Sequence, residues 1–515
     1  MQEVIIRTNF NKNVGLGHLY RCIKLANELK KYYKITFAID KKSKISKKII
    51  KFKIIELYKG STFKNQLGDA NLLKRKIEKK NIKFIIVDDY RLDFNWEKFF
   101  FTKYQLIVFD DLNKKKHKCH FIIDAKWNSE NTQNRYLNLV PKNCNKLLGP
   151  KYAMINPILN KRKKKENIFF YFGGAGDLSK FYKLILQFCI MNQVFKKKFN
   201  VDLVIGPMAY NYSKIKSLKK RFKFLNIVSN KFDLSIYLER CKFAFSNSSS
   251  IIYDLNYLNI PACLFSNSEN QKNNISDLED LGFYINIDLN KFLNSNKIQL
   301  LFLSLLKNLN RIKKLTNNKK ILIDSRGVKR IVGILNNNKR IVIKDVISNS
   351  KFLNKNGYFK IKDSFVNQYL IYRNMIINRK RSLRKSLIQK HEHYIWWFNN
   401  SNLIEKYYYF NKKIISIFYH YEIKINNKSY WYGGWMTCEA KPNFFEIINF
   451  LKFQIKTSLL KKNLAWLAII KKNNKFVYLI NKKLKFSAID NPKIITSIKK
   501  KFNISKKYEH HFLIK

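Results

Sequence analysis

The chain reads as an α/β protein: two Rossmann-like halves on parallel sheets, facing a shared cleft, followed by a mixed α+β unit. Three observations predict this. The apolar run Val4-Ile5-Ile6 passes into a glycine turn, Asn13-Val14-Gly15-Leu16-Gly17-His18, which opens the amphipathic stretch Ile23-Lys24-Leu25-Ala26-Asn27-Glu28-Leu29. The device returns a domain's length later, where Asn167-Ile168-Phe169-Phe170-Tyr171-Phe172 meets Gly173-Gly174-Ala175-Gly176-Asp177 and a helical stretch from Ser179. Between and beyond them, apolar runs ending in acids or turn residues alternate with helix-length segments, the signature of parallel sheets.

Taken in order, the first half offers Ile35–Ile39, then Phe84-Ile85-Ile86-Val87-Asp88-Asp89-Tyr90, then Leu106-Ile107-Val108-Phe109-Asp110-Asp111. The basic run Lys161–Glu166 reads as a linker. The second half continues with Val201–Gly206, Phe243–Ser250 and Ala262–Phe265. From about Asn336 to Asn356 the pattern loosens into Asn, Lys and Ser, a boundary. Beyond it lie Trp396, Trp397, Trp431, Trp435 and Trp466. The expected domains are 1–155, 156–335 and 350–515, in line with about three domains for 515 residues.

A net charge of +67 invites a nucleic-acid reading. The basic residues are mostly Lys and are spread through every segment, alongside abundant Asn, Ile, Phe and Tyr, which is a coding bias rather than a binding stripe. No specific nucleic-acid partner is expected. The seven cysteines are scattered, odd in number and never in a Cys-x-x-Cys pair, a reduced pattern that fits the cytoplasm and excludes a disulfide or zinc framework. No apolar run is long enough to span a bilayer, and the first residues read as a strand rather than a signal peptide.

The glycine turns are the chemistry-bearing feature. A strand, a glycine turn and a helix start aim backbone N–H groups and the positive helix end at a phosphate. His18 at that mouth is a candidate general base, since a neutral imidazole near pH 7 accepts a proton.

On Gly15-Leu16-Gly17-His18-Leu19-Tyr20-Arg21-Cys22, Val87-Asp88-Asp89-Tyr90, Phe109-Asp110-Asp111-Leu112, Leu148-Gly149-Pro150-Lys151-Tyr152, Tyr171-Phe172-Gly173-Gly174, Ser246 to Pro261 and Glu269-Asn270-Gln271, the first two thirds of the chain resemble a family of nucleotide-sugar hydrolases. These are the UDP-2,4-diacetamido-2,4,6-trideoxy-β-L-altropyranose hydrolases of pseudaminic acid biosynthesis, related to MurG-type GT-B glycosyltransferases. The resemblance implies a GT-B-like pair of lobes, inverting hydrolysis of the sugar–UDP bond, and His18 as the base that activates water. It implies substrate contacts at Gly15, Gly17, Arg21, Asp88, Tyr90, Gly173, Gly174, Ser248, Ser249, Ser250, Asp254, Glu269, Asn270 and Gln271. Asp254 stands where relatives commonly carry Glu, a place suited to ribose hydroxyls. Neither a metal nor a cofactor is required. Ser248 and Ser249 replace the glycine pair usual in relatives, and Arg7-Thr8-Asn9 replaces Arg-x-Asp. Serine constrains a loop more than glycine does.

The third unit resembles GNAT N-acyltransferases acting on nucleotide-linked amino sugars, through Tyr372-Arg373-Asn374, Glu392–Phe398, Asn474–Tyr478 and Leu484-Lys485-Phe486. That implies acetyl-CoA as the acyl donor. The family's spaced-glycine pyrophosphate loop is missing; Gly433-Gly434-Trp435 lies near its expected place and is followed by Glu439-Ala440-Lys441-Pro442. A substrate-binding or inactive domain is the alternative. For the cleft the alternatives are a GT-B glycosyltransferase using a UDP-sugar donor and, on charge alone, a polyanion-binding protein.

Overall fold

A computed structural model describes residues 1–11, 14–155, 165–195, 198–231, 233–266, 274–294, 296–337, 356–400, 403–504 and 509–515. Most of the basic run at 161–166 and of the polar stretch from 336 to 356 lies outside the described residues, as do Glu269, Asn270 and Gln271. The chain divides into two compact units, Met1–Phe302 with Leu309–Ser350, and Leu303–Asn308 with Lys351–Lys515. No helix among the described residues is long and apolar enough to cross a membrane.

The first unit holds two parallel sheets. Its amino-terminal lobe is built from β1 (Glu3–Thr8), β2 (Lys34–Ile39), β3 (Lys53–Glu56), β4 (Ile82–Asp88), β5 (Gln105–Phe109), β6 (Phe121–Asp124) and β7 (Asn145–Leu148), in the order β3-β2-β1-β4-β5-β6-β7. Alternate side chains of each strand enter opposite cores: Val4 and Ile6 pack with Leu19 and Leu25, Ile5 and Val87 with Leu73 and Trp96. A sheet covered on both faces explains why the strands read as continuous apolar runs. The chain leaves β1 toward β2 on one side and pairs β4 on the other, so the strand order reverses between β1 and β4. In such sheets ligands bind beyond the carboxyl ends of the strands at that reversal.

The second lobe repeats the plan. Its strands are β8 (Asn167–Tyr171), β9 (Ala175–Asp177), β10 (Val201–Ile205), β11 (Met208–Tyr210), β12 (Leu225–Ser229), β13 (Cys241–Asn247), β14 (Ala262–Ser266) and β15 (Ile285–Asp288). The main sheet runs β12-β10-β8-β13-β14-β15 and reverses between β8 and β13, while β9 and β11 pair with each other. Phe170, Phe188, Phe245 and Phe302 pack ring against ring within its core, Phe170 stacked on Phe245 and the other pairs edge-on.

Hydrogen bonds and a returning helix join these lobes. Trp127 Nε1 donates to Asp280 Oδ2 at 3.0 Å, and Ser129 N to Asp277 Oδ1 at 2.8 Å. Tyr253 OH donates to the Ala125 carbonyl at 3.0 Å. The helix Gly327–Asn337 returns to the first lobe, placing Ile331, Val332, Ile334 and Leu335 in the core with Val4 and Leu19. Gly327 sits so close that an added Cβ would lie 2.1 Å from the Ala153 carbonyl oxygen. Most of the last helix of the 156–335 segment therefore packs with the lobe expected at 1–155.

The second unit is a mixed sheet of β16 (Gly357–Lys360), β17 (Glu405–Asn411), β18 (Lys413–Ile425), β19 (Lys428–Thr437), β20 (Trp466–Lys471), β21 (Ser487–Ala488) and β22 (His510–Ile514), ordered β16-β17-β18-β19-β20-β22-β21. Asn426 and Asn427, both at positive φ, form the two-residue hairpin between β18 and β19. Only β19 and β20 run parallel among the described strands of this sheet, paired through Trp431–Trp466 and Tyr432–Leu467.

Beside β5, one buried ion pair makes the stability of the first lobe depend on pH. His117 Nδ1 lies 2.7 Å from Glu97 Oε1, and Nε2 faces Asp110 Oδ2 at 3.6 Å. Burial pulls the imidazole down, but Asp110 and Glu97 outweigh it and push its pKa from 6.5 up to about 9. Stability from such a group is fully present below about 6.5 and is lost as pH rises through about 9. The gap converts to at most ~3 kcal/mol. In calorimetry, the thermal midpoint of the wild-type chain should fall more steeply between pH 6.5 and 9 than that of His117→Gln. Equal slopes would refute the pairing.

Candidate active site

The site begins where β1 ends. Gly15 adopts φ +87, a backbone conformation open to glycine, and its N–H closes the turn on the Asn11 carbonyl at 2.9 Å. Helix Gly17–Leu29 follows, with Leu16 as N-cap; Leu16 offers no side-chain acceptor, and the first turn holds no acid. A Cβ added at Gly17 would meet nothing within 4 Å, so a ligand has room to approach the helix start. These are the features an anion site at a helix N-terminus needs.

His18 is the second residue of that helix and Arg21 stands one turn on. Both reach Asp88, the last residue of β4, across the β1–β4 reversal. His18 Nδ1 hydrogen-bonds Asp88 Oδ1. Arg21 grips both carboxylate oxygens, Nε to Oδ2 and Nη2 to Oδ1, each at 2.6 Å, and the Cys22 thiol adds a contact to Oδ2 at 3.5 Å. Asp88 is fully buried. Burial pushes its carboxyl up, yet Arg21 and His18 outweigh that and hold it far below the ordinary range. An ionised carboxylate can only accept, so Nδ1–H donates to Asp88, and Nε2 is the nitrogen left to accept a proton. An orienting acid behind a histidine base is the arrangement that fixes tautomer and ring direction.

Tyr90 packs edge-on to the His18 ring, centroids 4.4 Å apart. Its hydroxyl donates to Asp111 Oδ1, and Arg21 Nη1 reaches Asp111 Oδ2 at 3.2 Å. Burial and the Asp111 carboxylate push the Tyr90 phenol well above its usual range, so it remains a donor. The structure thus brings Gly15, Gly17, His18, Arg21, Asp88 and Tyr90 together, and adds Asp111. Asp89 and Asp110, the other members of the two acid pairs, turn away. Asp89 pairs with Arg91 at 2.6 Å, and Asp110 accepts from Tyr136 at 3.1 Å and from the Leu112 and Asn113 N–H groups. The sequence signal for Asp111 was the repeated Asp-Asp at the ends of adjacent parallel strands.

The second lobe meets the His18 helix at its glycine turn. Gly173 takes φ +109, and an added Cβ would lie 3.0 Å from Asn247 Nδ2, which donates to the Phe172 carbonyl. An added Cβ at Gly174 would lie 3.2 Å from Leu16 Cβ, so Gly174 seats the turn against the N-cap of the other lobe. Across the β8–β13 reversal, Ser248 is buried, Ser249 is half-buried and donates to Asn247 Oδ1 at 3.0 Å, and Ser250 is the exposed N-cap of helix Ile251–Tyr257. Asp254 lies in the first turn of that helix. A carboxylate there opposes a phosphate and suits hydroxyl donors. Among the described residues, no group of three or more His, Cys, Asp or Glu side chains is arranged to hold a metal ion.

In the second unit, Gly433 and Gly434 lie inside β19 opposite His420 and Tyr419, not in a strand-to-helix loop. The helix after that strand, Phe444–Leu459, closes its own start with a capping box of Asn443 and Glu446. The Asn443 and Glu446 N–H groups are occupied and the first turn is acidic, unlike the His18 helix. A pyrophosphate of acetyl-CoA finds no cradle at Gly433-Gly434-Trp435.

The geometry sets one tautomer, which nitrogen NMR of the first unit's histidines reads directly. His18 should carry its proton on Nδ1 at neutral pH, and Asp88→Asn should convert it to a mixture. A wild-type His18 protonated on Nε2 would contradict the arrangement.

No family model matches the chain. It is 24% identical over 289 residues to MJ1062, an uncharacterized protein of Methanocaldococcus jannaschii, covering 52% of this chain and 57% of that protein; the chain thus spans little more than half the length of this relative. Among solved structures, it is similar to MurG of Acinetobacter baumannii, 10% identical over 65% of this chain and 99% of that one, TM-score 0.45. It is also similar to a putative UDP-N-acetylglucosamine 2-epimerase from Listeria monocytogenes, 11% identical over 65% and 96% of the two chains, TM-score 0.43.

Proposed function

We propose that the first unit hydrolyses a UDP-sugar, and that the substrate is UDP-2,4-diacetamido-2,4,6-trideoxy-β-L-altropyranose, as the motif resemblance implies. Water attacks the anomeric carbon and passes its proton to His18 Nε2. The bond from that carbon to the diphosphate oxygen breaks, and its electron pair leaves with UDP. Attack from the face opposite the leaving group inverts the centre. The observation that carries this reading is the His18–Asp88–Arg21 cluster: a buried, ionised carboxylate gripped at both oxygens, holding one nitrogen of a histidine at an uncapped helix start.

Each part supplies a stated effect. A positioned base contributes about 10²–10⁴-fold. The open N–H groups of helix Gly17–Leu29 favour the charge gathering on the departing diphosphate. Acyl transfer by the second unit rests on its own motif resemblance and forms no part of this mechanism.

The test is UDP release from this sugar nucleotide with no acceptor present, with the first-formed anomer read by NMR. Wild-type protein should release UDP and the inverted free sugar. His18→Ala should slow release by about 10²–10⁴-fold while UDP still binds. Release that depends on an added acceptor would make the protein a glycosyltransferase, and unchanged turnover in His18→Ala would remove that residue from the chemistry.

A further inference from the structure

Five carboxylates gather at the carboxyl ends of β4, β5 and β6, and four of them are shut away. The side chains of Asp88 and Asp124 are 0% exposed, Asp89 2% and Asp110 8%. Asp111 is different, with a third of its side chain open. It is also held beside the base. Tyr90 and Arg21, which hold its two oxygens, both touch His18, one ring edge-on at 4.4 Å and the other with Nη2 at 3.2 Å from Nδ1. Asp111 thus stands at a fixed remove from the imidazole through two separate bridges.

We infer that Asp111 is the sugar-recognition residue of this site, accepting hydrogen bonds from N–H or O–H donors on the hexose beside the anomeric carbon. The inference rests on the UDP-sugar reading and deepens it. A carboxylate has about four acceptor positions, and Tyr90 and Arg21 fill two on the inner side, leaving acceptors on its open side. Arg21 cannot neutralise it fully, because the same guanidinium grips Asp88 twice at 2.6 Å and reaches Asp111 only at 3.2 Å. Its open oxygen lone pairs select a donor-bearing sugar. A site built to accept such donors discriminates between sugars, since one lacking them covers the open acceptors of the carboxylate without meeting them.

The experiment uses the full-length chain in a His18→Ala background, which prevents turnover during calorimetry. UDP and UDP-2,4-diacetamido-2,4,6-trideoxy-β-L-altropyranose are titrated into His18→Ala and into His18→Ala/Asp111→Asn. The added substitution should weaken the sugar nucleotide tenfold or more and change UDP affinity less than twofold. Equal weakening of both ligands would make Asp111 a structural partner of Arg21 and overturn the inference. So would no weakening of either, or a background in which the sugar adds nothing to UDP affinity. Thermal midpoints of the two variants, expected within a few degrees, separate loss of recognition from loss of fold. Wild-type UDP release, measured alongside, decides the hydrolase reading independently: release with an unaffected Asp111→Asn sinks only the present inference.

Discussion

A buried negative charge organises the first unit. Asp88 ends a strand sheathed on both faces, where an unpaired carboxylate would cost several kcal/mol. It persists because Arg21 meets both its oxygens and His18 meets one. The helix that carries both partners is thereby tied to the neighbouring strand at the point where strand order reverses. The requirement that satisfies Asp88 also points the histidine: with Nδ1 committed to the carboxylate, Nε2 is the nitrogen left to accept a proton.

The two lobes use one device at two reversals, with different fillings. After β1 the turn leads to a helix start without side-chain capping and without acid, beside a base. After β8 the turn is a close-packed junction, where Gly173 and Gly174 leave no room for side chains against Asn247 and Leu16. Gly174 thus seats one lobe on the other, while Gly173 packs within its own. Hydrogen bonds of Trp127, Ser129 and Tyr253, and the returning helix Gly327–Asn337, also join the two lobes.

Much of this was legible in the residues. The apolar runs at Val4–Ile6, Phe84–Val87 and Phe169–Phe170 became buried parallel strands, because double-sided burial leaves a continuous pattern. His18, Arg21, Asp88 and Tyr90 meet because each lies at or beyond the carboxyl end of a strand next to the reversal. Choosing within Asp110-Asp111 needed the structure: alternation cannot say which acid a turn will fold inward, and Asp110 is drawn in by the Leu112 and Asn113 N–H groups and by Tyr136. The returning helix was missed because its apolar face fits either lobe equally well by pattern. Gly433 and Gly434 looked like a loop, yet they are strand residues that permit close approach of Tyr419 and Gln454.

The central claim is that water, deprotonated by His18, attacks carbon rather than phosphorus. Hydrolysis in water enriched in oxygen-18 tests it most directly, with phosphorus NMR on the UDP formed. The account predicts UDP free of the label and a released sugar that carries it at the anomeric carbon. Label on the β-phosphate of UDP would contradict it.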